Sequence, residues 1–211
     1  MGKSDQTKQI LAEELKRQCR TNPFNRITIG SLCTACRLDR RTFYYHFRDI
    51  YDLAAWIYNS SLAEYLPNEN ALPGIRGLED ALRQMKEDAW FYRRSLEDVS
   101  QNALGRHILR HSALANVAAL KRLRGMDSLC EEDLFGIEYH CFGALGMIRR
   151  WLYHDCQPEP EHMAQMILSV MPEALRPLFI STAEGAVPPS CGKGSNSPEI
   201  AKTQGKHKNN A

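Results

Sequence analysis

Apolar residues recur every three to four positions through most of this chain, and that period dictates helices. Leu11, Leu15 and Cys19 stand four apart and predict an amphipathic helix over about residues 4–20. Asn22-Pro23 ends it, because proline disfavours helix in the residue before it. Thr28 is placed to cap a second helix, in which Ile29, Leu32, Cys33 and Cys36 fall at i, i+3, i+4 and i+7. Arg37-Leu38-Asp39 reads as a tight turn, with Asp39 capping a third helix over Arg40–Phe47. Asp49 caps a fourth, containing Leu53, Trp56 and Ile57 and running to about Leu66. Longer helical patterns follow at about 75–96, 100–124, 131–154 and 160–179, punctuated by Gly125, Pro158 and Pro160. Strand-like alternation bounded by hairpin turns is missing. The expected fold is therefore all-α: an N-terminal three-helix helix-turn-helix domain plus a C-terminal helical bundle.

The expected division is a helix-turn-helix domain over 1–50, a connecting helix and linker over 51–74, a helical body over 75–182 and a tail over 183–211. Pro67, Pro73 and Gly74 mark the linker as the natural hinge between the first module and the body. The tail is rich in Gly, Ser, Pro, Lys and Asn and cannot bury enough apolar surface to offset its ordering entropy, so disorder is expected there.

Charge is distributed unevenly. Residues 1–58 carry a net +4, residues 59–182 a net −4 and the remainder +2. A basic end on an acidic body suits contact with a polyanion. No run approaches eighteen apolar residues and the N-terminus lacks a signal-peptide pattern, so a cytoplasmic protein with no membrane contact is expected. The seven cysteines have no secreted-scaffold spacing and are expected as reduced thiols.

The chemistry concentrates in residues 28–53. Two short helices across a three-residue turn let the second enter a major groove about 12 Å wide. Leu38, Phe43 and Phe47 are predicted to anchor that helix, leaving Arg40, Arg41, Thr42, Tyr45 and His46 outward, with Arg48 just beyond. Arginine can fork onto O6 and N7 of guanine, while threonine and tyrosine hydroxyls hold phosphates and set the register.

This stretch resembles the DNA-binding domain of tetracycline-repressor (TetR) family regulators. Thr28 and Ile29 open the match, Leu32 and Cys33 fill its Ile-Ala positions, and Cys36 a later Ala. Leu38 and Asp39 match Val-Ser, and Thr42, Phe43, Tyr44 and Phe47 match the third-helix signature. The resemblance implies DNA contacts at Thr28, Arg40, Arg41, Thr42, Tyr44, Tyr45 and His46. Arg37 stands where the family has a turn glycine, at a cost if its φ is positive; as an exposed cation in the turn it joins the candidate contacts. Ile50 stands where the family often has a phosphate-touching lysine, a role Arg48 can take over. The segments ALRQMKEDAWFYRRSL and FGIEYHCFGALGMIRRWLYHD are similar to a TetR C-terminal subtype found among dihydroxyacetone-kinase operon activators.

The resemblance implies a homodimer, formed through residues 131–180, that binds a two-half-site operator on double-stranded DNA. A small-molecule effector is expected in the body. Repression is the family's commoner mode, with activation open. A second reading is a co-regulator acting mainly through protein–protein contacts. No Ser/His/Asp arrangement, phosphate loop or HExxH motif appears, so no enzyme activity is expected.

Further features admit both a functional and a packing account. Cys33 and Cys36 form a CxxC but lack the second pair that zinc needs, so buried small residues are expected, with no metal and no cofactor. Among the body aromatics, Trp90 and Tyr139, with His140 beside Tyr139, are the candidate effector contacts; the alternative is core. His107 and His111, flanked by Arg106 and Arg110, read as a solvated helix face. Gly136, Gly143 and Gly146 lie in one predicted helix, where each costs about 1 kcal/mol relative to alanine. Close helix–helix approach, between copies or within one, is the expected compensation.

Overall fold

The computed structural model describes residues 3–62, 65–66, 72, 74–98, 100 and 103–180. Most of the 67–74 linker and the 183–211 tail lie outside the described residues. Helix α1 (Lys3–Cys19) buries Leu11, Ala12, Leu15 and Cys19, the stripe that its four-residue spacing predicts. A single 3-10 turn, Phe24–Arg26, then sinks Phe24 into the core.

Helices α2 (Ile29–Cys36), α3 (Arg40–His46) and α4 (Ile50–Leu62) complete the N-terminal unit. Each begins at an expected cap. Thr28 and Ser31 form a reciprocal capping box, Asp39 Oδ1 accepts from the Thr42 N–H at 2.6 Å, and Asp49 Oδ1 from the Asp52 N–H at 2.8 Å. Each such cap stabilises its helix by about 1 kcal/mol. The fourth helix is described to Leu62, four residues short of the expected end.

The body comprises α5 (Gly74–Glu87), α6 (Ala89–Glu97), α7 (Leu104–Arg124), α8 (Glu131–Tyr153) and α9 (Pro160–Ser169), followed by a 3-10 segment, Glu173–Leu178. The single helix expected over 75–96 is two helices. Asp88 leaves helical geometry at φ −101°, ψ 28°, and its carboxylate meets Lys16 Nζ of α1 at 2.7 Å. The helix expected over 160–179 stops at Ser169, because Pro172 and Pro177 cannot supply the N–H groups that an α-helix needs. No strand occurs among the described residues.

Within the body α5 packs on α9 and α7 on α8, while α1 lies against α6. Ion pairs 2.6 Å long, Arg83–Glu161 and Lys86–Glu159, rim the α5–α9 seam. At the α7–α8 turn Arg124 and Asp133 pair at 2.5 Å, both nearly shielded from solvent. One buried apolar cluster runs from Leu11 in α1 through Phe43 and Ile57 to Ile167 in α9. The N-terminal unit and the body share that core.

Candidate nucleic-acid interface and body cavity

The turn between α2 and α3 sets the pose of everything after it. Arg37 takes the left-handed conformation, φ 55°, ψ 40°. Its N–H donates to the Thr34 carbonyl at 3.2 Å and the Leu38 N–H to the Cys33 carbonyl at 2.9 Å, the pair of bonds that closes a helix at a left-handed residue. A non-glycine residue there costs about 1 kcal/mol. The cost anticipated for Arg37 in place of glycine is thus present, and the turn forms regardless.

Helix α3 divides its side chains as expected. Phe43 is fully buried and Phe47 nearly so, with Leu38 half-buried beside them. Arg40, Arg41, Tyr44 and Tyr45 are exposed, Tyr45 by 81%. Thr42 and His46 are intermediate, the His46 ring lying edge-on to Tyr45 at 4.9 Å. Thr28, Arg37 and Arg48 are exposed on the same unit. Thr28 spends its hydroxyl on the Ser31 N–H at 3.0 Å, whereas the Arg48 guanidinium stands 3.6 Å from Asp52. Hydrogen bonds from Thr42 hold the Asp39 carboxyl below its ordinary range, so the cap remains charged.

One contributor escapes sequence reading. A Cβ on Gly30 of α2 would meet the Arg40 guanidinium at 2.8 Å, so Arg40 lies back over α2 at a position that carries no side chain.

The two CxxC sulfurs face inward. Cys33 Sγ sits 3.7 Å from the Asp39 carbonyl and Cys36 Sγ 3.8 Å from that of Ile10. Desolvation raises both thiols above their ordinary value and keeps them neutral.

Contacts between head and body are polar as well as apolar. Besides Lys16–Asp88, the Tyr51 hydroxyl of α4 donates to Asp98 Oδ2 at 3.0 Å, just after α6. Phe47 meets Trp56 of α4 edge-on at 6.0 Å, tying the end of α3 to α4.

The far end of α4 reaches a cavity of about 100 Å³ inside the body. Tyr58 and Leu62 of α4 line it, facing α5, α7 and α8. His140 lines the cavity as well, whereas Trp90 and Tyr139, the other two candidate effector contacts, lie outside its lining. Trp90 sits on the outer face of α6 beneath Arg93, 5.3 Å from the ring centroid. Tyr139 is 69% exposed and stacks on Phe135 at 6.2 Å. A polar tip shows that an aromatic needs a partner or water; it does not say on which face of the helix it stands.

The imidazoles of α7 also depart from expectation. Arg106 and Arg110 are exposed, but His107 and His111 turn inward, stacked on one another at 5.9 Å and each edge-on to Tyr58. His107 reaches Asn59 Oδ1 at 3.1 Å. Burial lowers the pKa of His107, His111 and His140 below the ordinary 6.5. The unfolded chain therefore binds protons more readily than the folded one as pH falls through about 6.5. Stability is expected to decline on acidification, and replacing His107 with glutamine should flatten that decline. Urea unfolding at about pH 7.5 and pH 5.5 measures it; an identical drop in wild type and H107Q would show that His107 takes no part.

The described residues are all-helical, with a capped helix-turn-helix whose second helix bears arginine and tyrosine, the arrangement that helix-turn-helix transcriptional regulators share. Residues 75–173 match the TetR-type family model described as a transcriptional regulator C-terminal region. Ninety-five residues, 44% of this chain, are 27% identical to the HTH-type dhaKLM operon transcriptional activator DhaS of Lactococcus lactis. The chain spans about half the length, 51%, of that curated relative. A solved structure of the dihydroxyacetone kinase operon activator DhaS shares the fold, with a TM-score of 0.56 at 19% identity, over 78% of this chain and 93% of that one. The C-terminal region is thus similar to that of TetR-type transcriptional regulators, DhaS among them, and the fold is shared with DhaS. No helix among the described residues is long and apolar enough to cross a membrane.

Proposed function

We propose that this regulator is a homodimer that reads a two-half-site operator with α3 and is controlled by a small molecule held in the body cavity. The observation that carries the reading is the two-sidedness of α3: Phe43 and Phe47 fix it to the core while Arg41 and Tyr45 stand free. Arg40, Arg41 and Tyr45 are the groups for base edges and nearby phosphates, with Thr42, Tyr44 and His46 flanking them. Arg37 and Arg48 supply positive charge at the two ends of the helix, and Thr28 holds the start of α2 in place.

The second copy docks on α8 and α9. Phe135, Tyr139 and Phe142 form an exposed stripe along α8, and Met166 of α9 and Val170 at its C-terminal cap are exposed as well. A Cβ on Gly143 or Gly146 would meet nothing within 4 Å, so neither glycine serves close packing inside one protomer. An apolar strip interrupted by two bare backbone positions suits close approach by a second α8.

Helix α4 provides the coupling. Trp56, in its middle, touches the end of the reading helix, and Tyr58 and Leu62, beyond, wall the cavity. Occupancy that shifts α4 alters the spacing of two heads that must dock about 34–36 Å apart. A coupling of roughly 1–3 kcal/mol suffices for a switch. An operator–reporter strain lacking the gene reads the sign, since expression rises on loss of a repressor and falls on loss of an activator.

Two measurements test the reading. Affinity for random duplex should fall linearly with log salt, at about −0.9 per neutralised phosphate. Binding only to protein partners would instead leave duplex affinity negligible at low salt and favour the co-regulator reading. Sedimentation should show a dimer for wild type and a monomer for Tyr139→Asp, which places a charge in the interface; a wild-type monomer at micromolar concentration rules out the dimer.

A further inference from the structure

A second recess lies where the N-terminal unit meets the body. It is a cleft of about 710 Å³ between α1, the α3–α4 junction and the start of α7. Cations line it from all three sides: Lys8 of α1, Arg48 between α3 and α4, and Arg106 and Arg110 of α7. Only two carboxylates, Asp49 and Asp52, are among its described lining residues, and both are engaged locally. Asp49 caps α4 through the Asp52 N–H. Asp52 accepts from the Arg48 N–H at 3.0 Å and lies 3.6 Å from the Arg48 guanidinium. Lys8, Arg106 and Arg110 form no ion pair among the described residues. Arg106 and Arg110 stand four apart on α7, where like charges repel. Arg106 also lies in the first turn, at the end of the helix where the dipole disfavours a cation. A solvated face disperses such charge; here it gathers on a concave surface, which focuses the positive field.

We infer that this cleft binds a small organic phosphate, whose oxygens Arg106 and Arg110 hold and whose carbon body lies against Trp56. A guanidinium forks onto two phosphate oxygens, and a dianion neutralises the pair that repel on α7. Trp56 is half-buried in the cleft and supplies apolar surface. Asn59 and His107, 3.1 Å apart, join α4 to α7 in the same lining. The volume falls within the range of small-molecule sites, about 300–1,000 Å³, and admits a monophosphate ester. A duplex backbone is the competing polyanion. Of the candidate DNA contacts only His46 and Arg48 line the cleft, whereas Arg40, Arg41 and Tyr45 do not. A recess walled by three elements suits a free ester better than a duplex, which needs an open face.

Calorimetry and amide NMR on the full chain without DNA, at fixed ionic strength, provide the test. Phenyl phosphate, inorganic phosphate and phenol are the probes. Wild type is expected to bind phenyl phosphate saturably, inorganic phosphate more weakly and phenol not at all. The shifted amides should centre on Asn59 and residues 103–110. Replacing Arg106 and Arg110 together with glutamine should weaken phenyl phosphate by about tenfold or more, the size of one charge-assisted hydrogen bond. Both side chains are exposed, so the urea midpoint should stay where it is. Lys121→Gln with Arg150→Gln removes the same charge away from the cleft and should leave binding intact. The inference is overturned if wild type binds no phenyl phosphate, if inorganic phosphate or phenol binds as tightly, or if the two double variants behave alike. Amides 103–110 that shift with duplex but with no phosphate probe give these arginines to the DNA backbone and overturn it equally. Duplex titration of the same preparation keeps the two readings apart. A chain that binds duplex but no ester loses only this site, and one that binds the ester but no duplex loses only the DNA-reading role.

Discussion

Phe43→Ala is expected to destabilise the chain by about 3–5 kcal/mol, the usual cost of deleting a fully buried aromatic. The ring is wholly shielded and packs near Phe47 at 5.9 Å within the core shared by head and body. Losing it removes the ring that seats α3 in that core, so DNA affinity should collapse together with the denaturation midpoint. Tyr45→Ala two positions on supplies the contrast: a side chain 81% exposed should change stability by no more than about 0.5 kcal/mol. Urea titrations followed by circular dichroism distinguish the two. A Phe43→Ala chain within about 1 kcal/mol of wild type would mean that α3 is held some other way.

Replacing Arg40 and Arg41 together with alanine should leave stability unchanged and cost roughly 1–3 kcal/mol of operator affinity per arginine that forks onto a guanine. The two should not be equal. Arg40 lies back over Gly30 of α2 near the helix start, a position suited to phosphate, whereas Arg41 stands one residue on, on the exposed face of α3. Arg40→Ala alone should therefore weaken binding to every duplex and reduce the salt slope by about one. Arg41→Ala alone should blur discrimination at one base position. Operator and random-duplex titrations at several salt concentrations measure both, and unchanged affinity with unchanged salt dependence in the double variant removes these arginines from the interface.

How much of this was legible in the sequence depends on how local the controlling interaction is. Thr28, Asp39 and Asp49 cap their helices as read, because a cap is settled by a side chain and an amide three residues apart. The split of α3 into a phenylalanine face and an arginine–tyrosine face follows from helical period alone. Features decided by tertiary neighbours were hidden. Asp88 breaks α5 from α6 in company with Lys16, which is remote in sequence. Gly30 matters through Arg40, ten positions on across a turn. His107 and His111 looked solvated beside two arginines, yet Tyr58 of α4 draws them inward. Trp90 and Tyr139 carry the composition of pocket residues but lie outside the lining of the cavity.

The clamps Lys16–Asp88 and Tyr51–Asp98, laid over a continuous core, leave the reading head little independent swing. On the proposed reading of a dimer on two half-sites, such stiffness makes the molecule a ruler. Adding one base pair between half-sites turns the second site around the duplex axis, and a pair of stiff arms cannot follow that rotation without tearing contacts that each contribute to stability. Tolerance of spacer length then becomes a direct gauge of how firmly those clamps hold.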